Sequence, residues 1–243
     1  MIDTILFDLD GTLLQFDQDE FIAVYFSKLT KMLAGLGLNA ETAVKALWAG
    51  TKTMMQNDGA KLNSDRFWEV FAGMTEMSGD RLKAIENACD AFYENEFDSI
   101  KSILKNGDPG LPGRMIQSLK LQGFTLVLAT NPLFPMCAVT TRLKWTGLAP
   151  EDFCLVTNYS NSTYCKPNPN YYREIFGKIG KEPSQCMMVG NNSREDMCAG
   201  DLGAATFLVT DCLENETDTD ISAFRNGTLI ELEEYLALLP DPC

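Results

Sequence analysis

The 243-residue chain contains no histidine, so any proton transfer it performs falls to a carboxylate, lysine, tyrosine or cysteine. It is also poor in positive charge. Twenty lysines and arginines stand against 34 aspartates and glutamates, a formal net charge of −14, which disfavours nucleic acid or an anionic membrane as a partner. An anionic small molecule stays open, because one lysine and a metal ion reverse the field inside a pocket. No apolar run reaches the length of a membrane span. No basic region followed by an apolar stretch and a cleavage site opens the chain, since Asp8 and Asp10 interrupt it at once. The eight cysteines form no C-x-x-C pair and no zinc spacing. Several lie in apolar runs, Cys154 in FCLV and Cys186 in CMMV, and read as small core residues of a reduced, cytoplasmic protein. Five N-x-S/T triplets, beginning at Asn158, Asn161, Asn191, Asn215 and Asn226, are chance matches without a secretory signal.

What is present is an ordinary globular composition, 45% hydrophobic and 22% charged. The length suits one large domain, or one core carrying an inserted smaller unit. The chain opens on an apolar strand, Thr4 to Phe7, and then turns helical for about ninety residues. Asp17 with Glu20 makes a capping-box-like start to a helix that ends at Gly35 and Gly37. Further helical stretches follow around Ala40–Met55, Ser64–Met74 and Asp80–Phe97. The segment closes at KNGDPGLPG, Lys105 to Gly113, a turn or hinge.

From there strand and helix alternate. A helix from about Gly113 to Leu121 precedes the strand FTLVLATN, one around Pro135–Trp145 precedes DFCLVT, one around Asn168–Ile179 precedes CMMVGNN, and a short one near Glu195–Leu202 precedes ATFLVT. These strands are continuously apolar, as in a parallel sheet covered on both faces. The expected fold is α/β: a Rossmann-like parallel sheet core, residues 1–14 and 109–243, with an inserted all-helical cap, residues 15–108.

Chemistry-bearing residues fall just beyond the strands. Asp8 and Asp10 follow the first strand, on one face if the chain stays extended and about 7 Å apart. Their repulsion would be about 2–3 kcal/mol at an effective dielectric of about 20, a cost that calls for a functional reason. Thr130 and Asn131 follow the second strand, Lys166 lies in the loop YCKPNP beyond the third, and Asn191, Asn192 and Asp196 follow the fourth. Taken singly, Thr130 and Asn131 are adequate turn formers, Lys166 a solvated charge and Asp196 a helix-start carboxylate. All of them at the carboxyl edge of one sheet, in order, line a ligand crevice.

These residues resemble the four motifs of the haloacid dehalogenase-like superfamily. DLDGT matches the first motif fully, LVLATN the second, CKPNP the third, and GNNSRED the fourth in part, with the helical insert in the place of that family's C1 cap. The resemblance implies a magnesium-dependent phosphatase of a small phosphorylated metabolite. Asp8 would be the nucleophile that forms an aspartyl-phosphate, and Asp10 the acid and base. Thr130, Asn131 and Lys166 would hold the phosphoryl group, and Asp8, Asp10, Asn191 and Asp196 the Mg2+. Asn191 stands where the family usually has a metal-binding Asp, so direct ligation by Asn191 and a larger share for Asp196 both stay open. So do a weakly active or inactive phosphate-ester-binding protein and a phosphomutase; a dehalogenase is disfavoured by Asp10. Specificity contacts are expected from the loop Met55–Asn63 and from Gln15 and Phe16.

Overall fold

The computed structural model describes residues 1–105 and 108–242; Asn106 and Gly107 of the expected hinge, and Cys243, lie outside the described residues. Six strands form one parallel sheet: β1 (Thr4–Phe7), β2 (Thr125–Leu128), β3 (Leu155–Val156), β4 (Cys186–Gly190), β5 (Ala205–Val209) and β6 (Asn226–Gly227), in the order β3-β2-β1-β4-β5-β6. The fold is thus α/β and Rossmann-like. β1 is central, paired on both sides in register, with Phe7 opposite Leu128 on β2 and Val189 on β4. The strand period of two sorts its residues between two apolar clusters. Ile5, Phe7, Leu126, Leu128, Met187 and Val189 enter one, and Leu6, Val127, Ala129, Cys186 and Met188 the other.

Helices α5 (Leu111–Gln122), α6 (Met136–Trp145) and α8 (Leu229–Leu236) contribute to the first cluster. Helix α7 (Pro169–Ile179) and a 3-10 turn at Met197–Leu202 contribute to the second. Between β1 and α5 lie α1 (Gln18–Gly35), α2 (Ala40–Met55), α3 (Asn63–Thr75) and α4 (Gly79–Asn95), then a 3-10 turn at Phe97–Ile103. Asp17 caps α1 by accepting from the Glu20 amide, and Asn39 caps α2 through the Thr42 amide. Phe21, Leu29, Phe71 and Phe92 from these helices join the same apolar cluster as one face of the sheet, which ties the insert to the core. Asn63 adds a polar latch: its backbone amide donates to Ser162 O at 2.9 Å and its side chain to Pro132 O at 3.3 Å.

Several expectations need correction. The short helix near Glu195–Leu202 is a 3-10 turn starting at Met197, and the helix expected to reach Phe97 ends at Asn95. The β6–α8 unit was not foreseen, although Thr228 and Glu231 form a full capping box. Cys154 is exposed, and Cys137, Cys198 and Cys212 are half-buried; only Cys89, Cys165 and Cys186 are core residues among the seven described, all of them free thiols. No helix among the described residues is long and apolar enough to cross a membrane.

Candidate active site

The first strand stops at Phe7, so Asp8 and Asp10 do not owe their common location to strand alternation. Asp8 keeps one last sheet bond, its amide donating to Val189 O at 2.8 Å. The chain then turns, closed by the Thr12 and Leu14 amides donating to Leu9 O. Gly11 adopts φ +82°, and a Cβ there would stand 2.2 Å from Asn191 Nδ2, so the turn needs glycine both for its backbone and for the approach of Asn191. Both aspartates nevertheless line one cavity of about 200 Å3 at the carboxyl edge of the sheet, with Thr130, Asn131, Asn191, Asn192, Glu195, Asp196 and Glu214. It lies where the strand order reverses, between β1 and β4, the usual crevice of such sheets.

Lys166 is 1% exposed and lies between two carboxylates, its Nζ donating to Asp8 Oδ1 at 2.8 Å and to Asp196 Oδ1 at 2.6 Å. Burial opposes its charge, yet Asp196 and Asp8 outweigh that and hold its pKa well above the ordinary lysine value. Asp196 is equally buried. Its Oδ2 accepts from the Asn192 amide at 2.9 Å, so both its oxygens are engaged within the protein. Burial pushes its pKa up to about 6 against the pull of Lys166.

Thr130 is fixed by its carbonyl, which accepts from Thr157 Oγ1 at 2.7 Å and from Tyr171 OH at 2.9 Å. The Asn131 amide is also tied. Its Oδ1 accepts from the Lys166 backbone N–H, and its Nδ2 donates to Glu195 Oε2 at 3.0 Å. The Glu195 carboxyl is raised to about 7, chiefly by burial and in opposition to Lys166.

Asp10 has a partner that the sequence reading missed. Its Oδ2 accepts from Nη1 of Arg142, a fully buried arginine on α6 whose guanidinium lies 4.2 Å from the centre of the Phe134 ring. Oδ1 of Asp10 is buried and has no hydrogen-bond partner. Burial raises the Asp10 pKa, and Arg142 opposes the rise. The signal for Arg142 was present in the sequence: it lies four residues after Ala138 and three after Val139, on the apolar face of its helix.

A hard cation suits the oxygen atoms left over. Thr12 Oγ1 lies 3.2 Å from Asp8 Oδ2 and 3.1 Å from Asn191 Oδ1, but its single proton serves only one of them. Asn191 Nδ2 is committed to Cys212 O at 2.7 Å, which leaves Oδ1 turned to Thr12, the hydroxyl that also reaches Asp8. The cleft gathers five carboxylates and would repel an anion unless a further positive charge entered. Carboxylate, amide and main-chain oxygens are the donors magnesium prefers. The acidic side chains alone do not form that set: among the described residues no three His, Cys, Asp or Glu side chains are grouped as metal ligands.

Of the expected specificity residues, Met55 lines the cleft. Phe16 does not: it is buried and stacked on Phe21 at 4.9 Å, and the insert contributes Gln18 to the cleft instead.

An acidic crevice at the carboxyl edge of a doubly wound parallel sheet, with a buried lysine between two of its carboxylates, is the ligand site of an α/β protein. The family model of haloacid dehalogenase-like hydrolases matches residues 2–200, and the chain belongs to that family. It is 25% identical over 206 residues to the pyrophosphatase PpaX of Bacillus velezensis, covering 84% of this chain and 82% of that one. It is also 25% identical over 129 residues to flavin mononucleotide hydrolase 1 of Arabidopsis thaliana, covering 49% of this chain and less than half, 46%, of that relative. Among solved structures, the HAD hydrolase YfnB of Bacillus subtilis, bound to magnesium, superposes with a TM-score of 0.57 at 18% identity, covering 98% of this chain and 99% of that one. At that identity the likeness concerns the fold alone.

Proposed function

We propose that this protein is a magnesium-dependent phosphatase that hydrolyses a small phosphate monoester through an aspartyl-phosphate on Asp8. The observation that carries this reading is Lys166, buried and shared between Asp8 and Asp196, two carboxylates that line the cleft together with Thr130. It orients Asp8 through the 2.8 Å hydrogen bond, and it offsets charge on an incoming phosphoryl group. The pyrophosphatase and flavin mononucleotide hydrolase names of the two relatives agree with hydrolytic transfer of a phosphoryl group to water, from an anhydride in the first name.

An Asp8 carboxylate oxygen attacks phosphorus, and the bond to the leaving oxygen breaks. That oxygen takes the proton of Asp10, for which Oδ1 is the free atom while Arg142 holds Oδ2. Water then attacks the phosphorus and gives a proton back to Asp10, and the Asp8–phosphorus bond breaks. The Thr130 hydroxyl and neighbouring backbone amides receive the phosphoryl oxygens, while the Asn131 side chain, already tied to Glu195 and the Lys166 amide, positions the loop. Magnesium would be held by the Asp8 carboxylate, the Asp10 carbonyl and Asn191 Oδ1. When bound, it supplies charge neutralisation for phosphoryl transfer. Asp196 acts by fixing Lys166.

The substrate is a small phosphorylated metabolite, in keeping with a cleft of about 200 Å3, and the free thiols suit a reducing cytoplasmic setting. One observation favours a second reading, a weakly active phosphate-ester-binding protein: Arg142 engages the acid–base residue Asp10. A magnesium titration of p-nitrophenyl phosphate hydrolysis separates the two. Metal-dependent turnover that Asp8→Asn abolishes supports the phosphatase. A folded protein silent with every divalent ion would leave the binding protein.

A further inference from the structure

A second cavity, about 120 Å3, lies between the helical insert and the core loop at Leu133–Pro135. Its walls are mostly rings: Tyr25, Trp48, Trp68, Tyr93, Phe134 and Tyr159. Among the described residues no charged side chain lines it. Three residues, Gln18, Leu133 and Phe134, line both this cavity and the catalytic cleft, so the two are direct neighbours. Phe134 is held from behind by the Arg142 guanidinium that also grips Asp10. A molecule that places its phosphoryl group beside Asp8 therefore has an aromatic-walled chamber next to its leaving group.

The chamber's size and polarity narrow that group. An apolar protein cavity of about 150 Å3 accepts benzene, and this one, about 120 Å3 and open on the side of the half-exposed Trp48, is of the size of a single six-membered ring. A polyol or carboxylate placed against these walls would lose more water than their few polar groups, Gln18 and Thr51 among them, replace. Resting on the phosphatase reading above, we propose that the preferred substrate is a phosphate monoester of an alcohol or phenol carrying one uncharged aromatic ring. The ring occupies the chamber, and the phosphate, attached directly or through a short chain, lies in the cleft. Trp48 is 49% exposed at the chamber wall and comes from α2, while Trp68 comes from α3, so both rings report occupancy by their fluorescence.

The test compares kcat/KM for phenyl, benzyl and phenethyl phosphate with that for methyl phosphate and glycerol phosphate. The ring is worth about tenfold or more, the amount expected for burying a phenyl group. The ratio of benzyl to methyl phosphate should fall in Trp48→Ala, and again in Thr51→Phe, which fills the chamber from its wall. Independently of turnover, benzyl alcohol should change the tryptophan emission of the wild-type protein saturably, and Thr51→Phe should abolish that change. Glycerol phosphate turned over as well as the aryl esters, or a benzyl alcohol titration without response, overturns the ring assignment while leaving the phosphatase reading intact. Absence of turnover with every ester, together with a saturable benzyl alcohol response, overturns the phosphatase reading and leaves the chamber as a ring-binding site.

Discussion

Replacing Lys166 with methionine keeps most of the side-chain volume and removes the one positive charge between Asp8 and Asp196. The Nζ lies 2.8 and 2.6 Å from the two carboxylates, each attraction on the order of 6 kcal/mol at an effective dielectric of about 20. Much of that offsets the cost of burying three charges, so the expected net loss of stability at pH 8 is about 3–5 kcal/mol. The loss should depend on pH in a defined direction. Asp196 has a folded-state pKa raised to about 6, above its unfolded value, so its contribution to stability is full at low pH and is lost as pH rises through about 6. Without Lys166 that pKa rises further. At pH 5 the variant protonates Asp196 and should fall only about 1–2 kcal/mol short of wild type, the remaining cost being lost packing and hydrogen bonds. Urea unfolding of both proteins at pH 5 and pH 8 measures the two differences. A destabilisation equal at both pH values, or below about 1 kcal/mol at pH 8, would refute the assignment of charges in this cluster.

Three further expectations concern neighbours of that cluster. Asn191→Asp replaces the amide that donates to Cys212 O at 2.7 Å with a carboxylate facing a carbonyl. Without magnesium it should be less stable by about 1–3 kcal/mol. Magnesium should raise its Tm more than that of wild type, and an equal rise would count against position 191 as a ligand. Arg142→Met leaves Asp10 unpaired and should cost about 3 kcal/mol of stability. With Asp10 proton-bearing to higher pH, the alkaline limb of kcat/KM should move up, and an unmoved limb would remove Asp10 as the acid. Glu195 carries a pKa raised to about 7, so its contribution to folding is present below its unfolded pKa and lost as pH rises through 7. Glu195→Gln should therefore stabilise the protein at pH 8.5 by about 1–2 kcal/mol after allowance for partial exposure, with no gain at pH 5. A gain of the same size at both pH values would sink that reading.

The strands were legible because a parallel sheet buried on both faces leaves continuous apolar runs, as in TILF and CMMVG, and few other structures do. The helix start at Asp17 was legible because capping is local. What escaped depends on distance in sequence. Arg142 and Asp10 are 132 residues apart, and only the packing of α6 against the turn after β1 brings them together. The strand argument put Asp8 and Asp10 in the right place for the wrong reason, since the turn around Gly11 sets them there. Strand β6 is two residues long, too short for any periodicity, and Cys154 reads as core because its neighbours in FCLV are apolar although its own side chain points outward. Lys166, Thr130, Asn191 and Asp196 were each ambiguous alone, and the strand order is what turned them into one cluster.

The central claim is that Asp8 becomes phosphorylated during turnover. Acid quenching of the enzyme with saturating substrate and magnesium, followed by peptide mass spectrometry, should find the mass of one phosphoryl group on the peptide containing Asp8, and none in Asp8→Asn. Steady turnover with no adduct on that peptide, or turnover retained in Asp8→Asn, would contradict it.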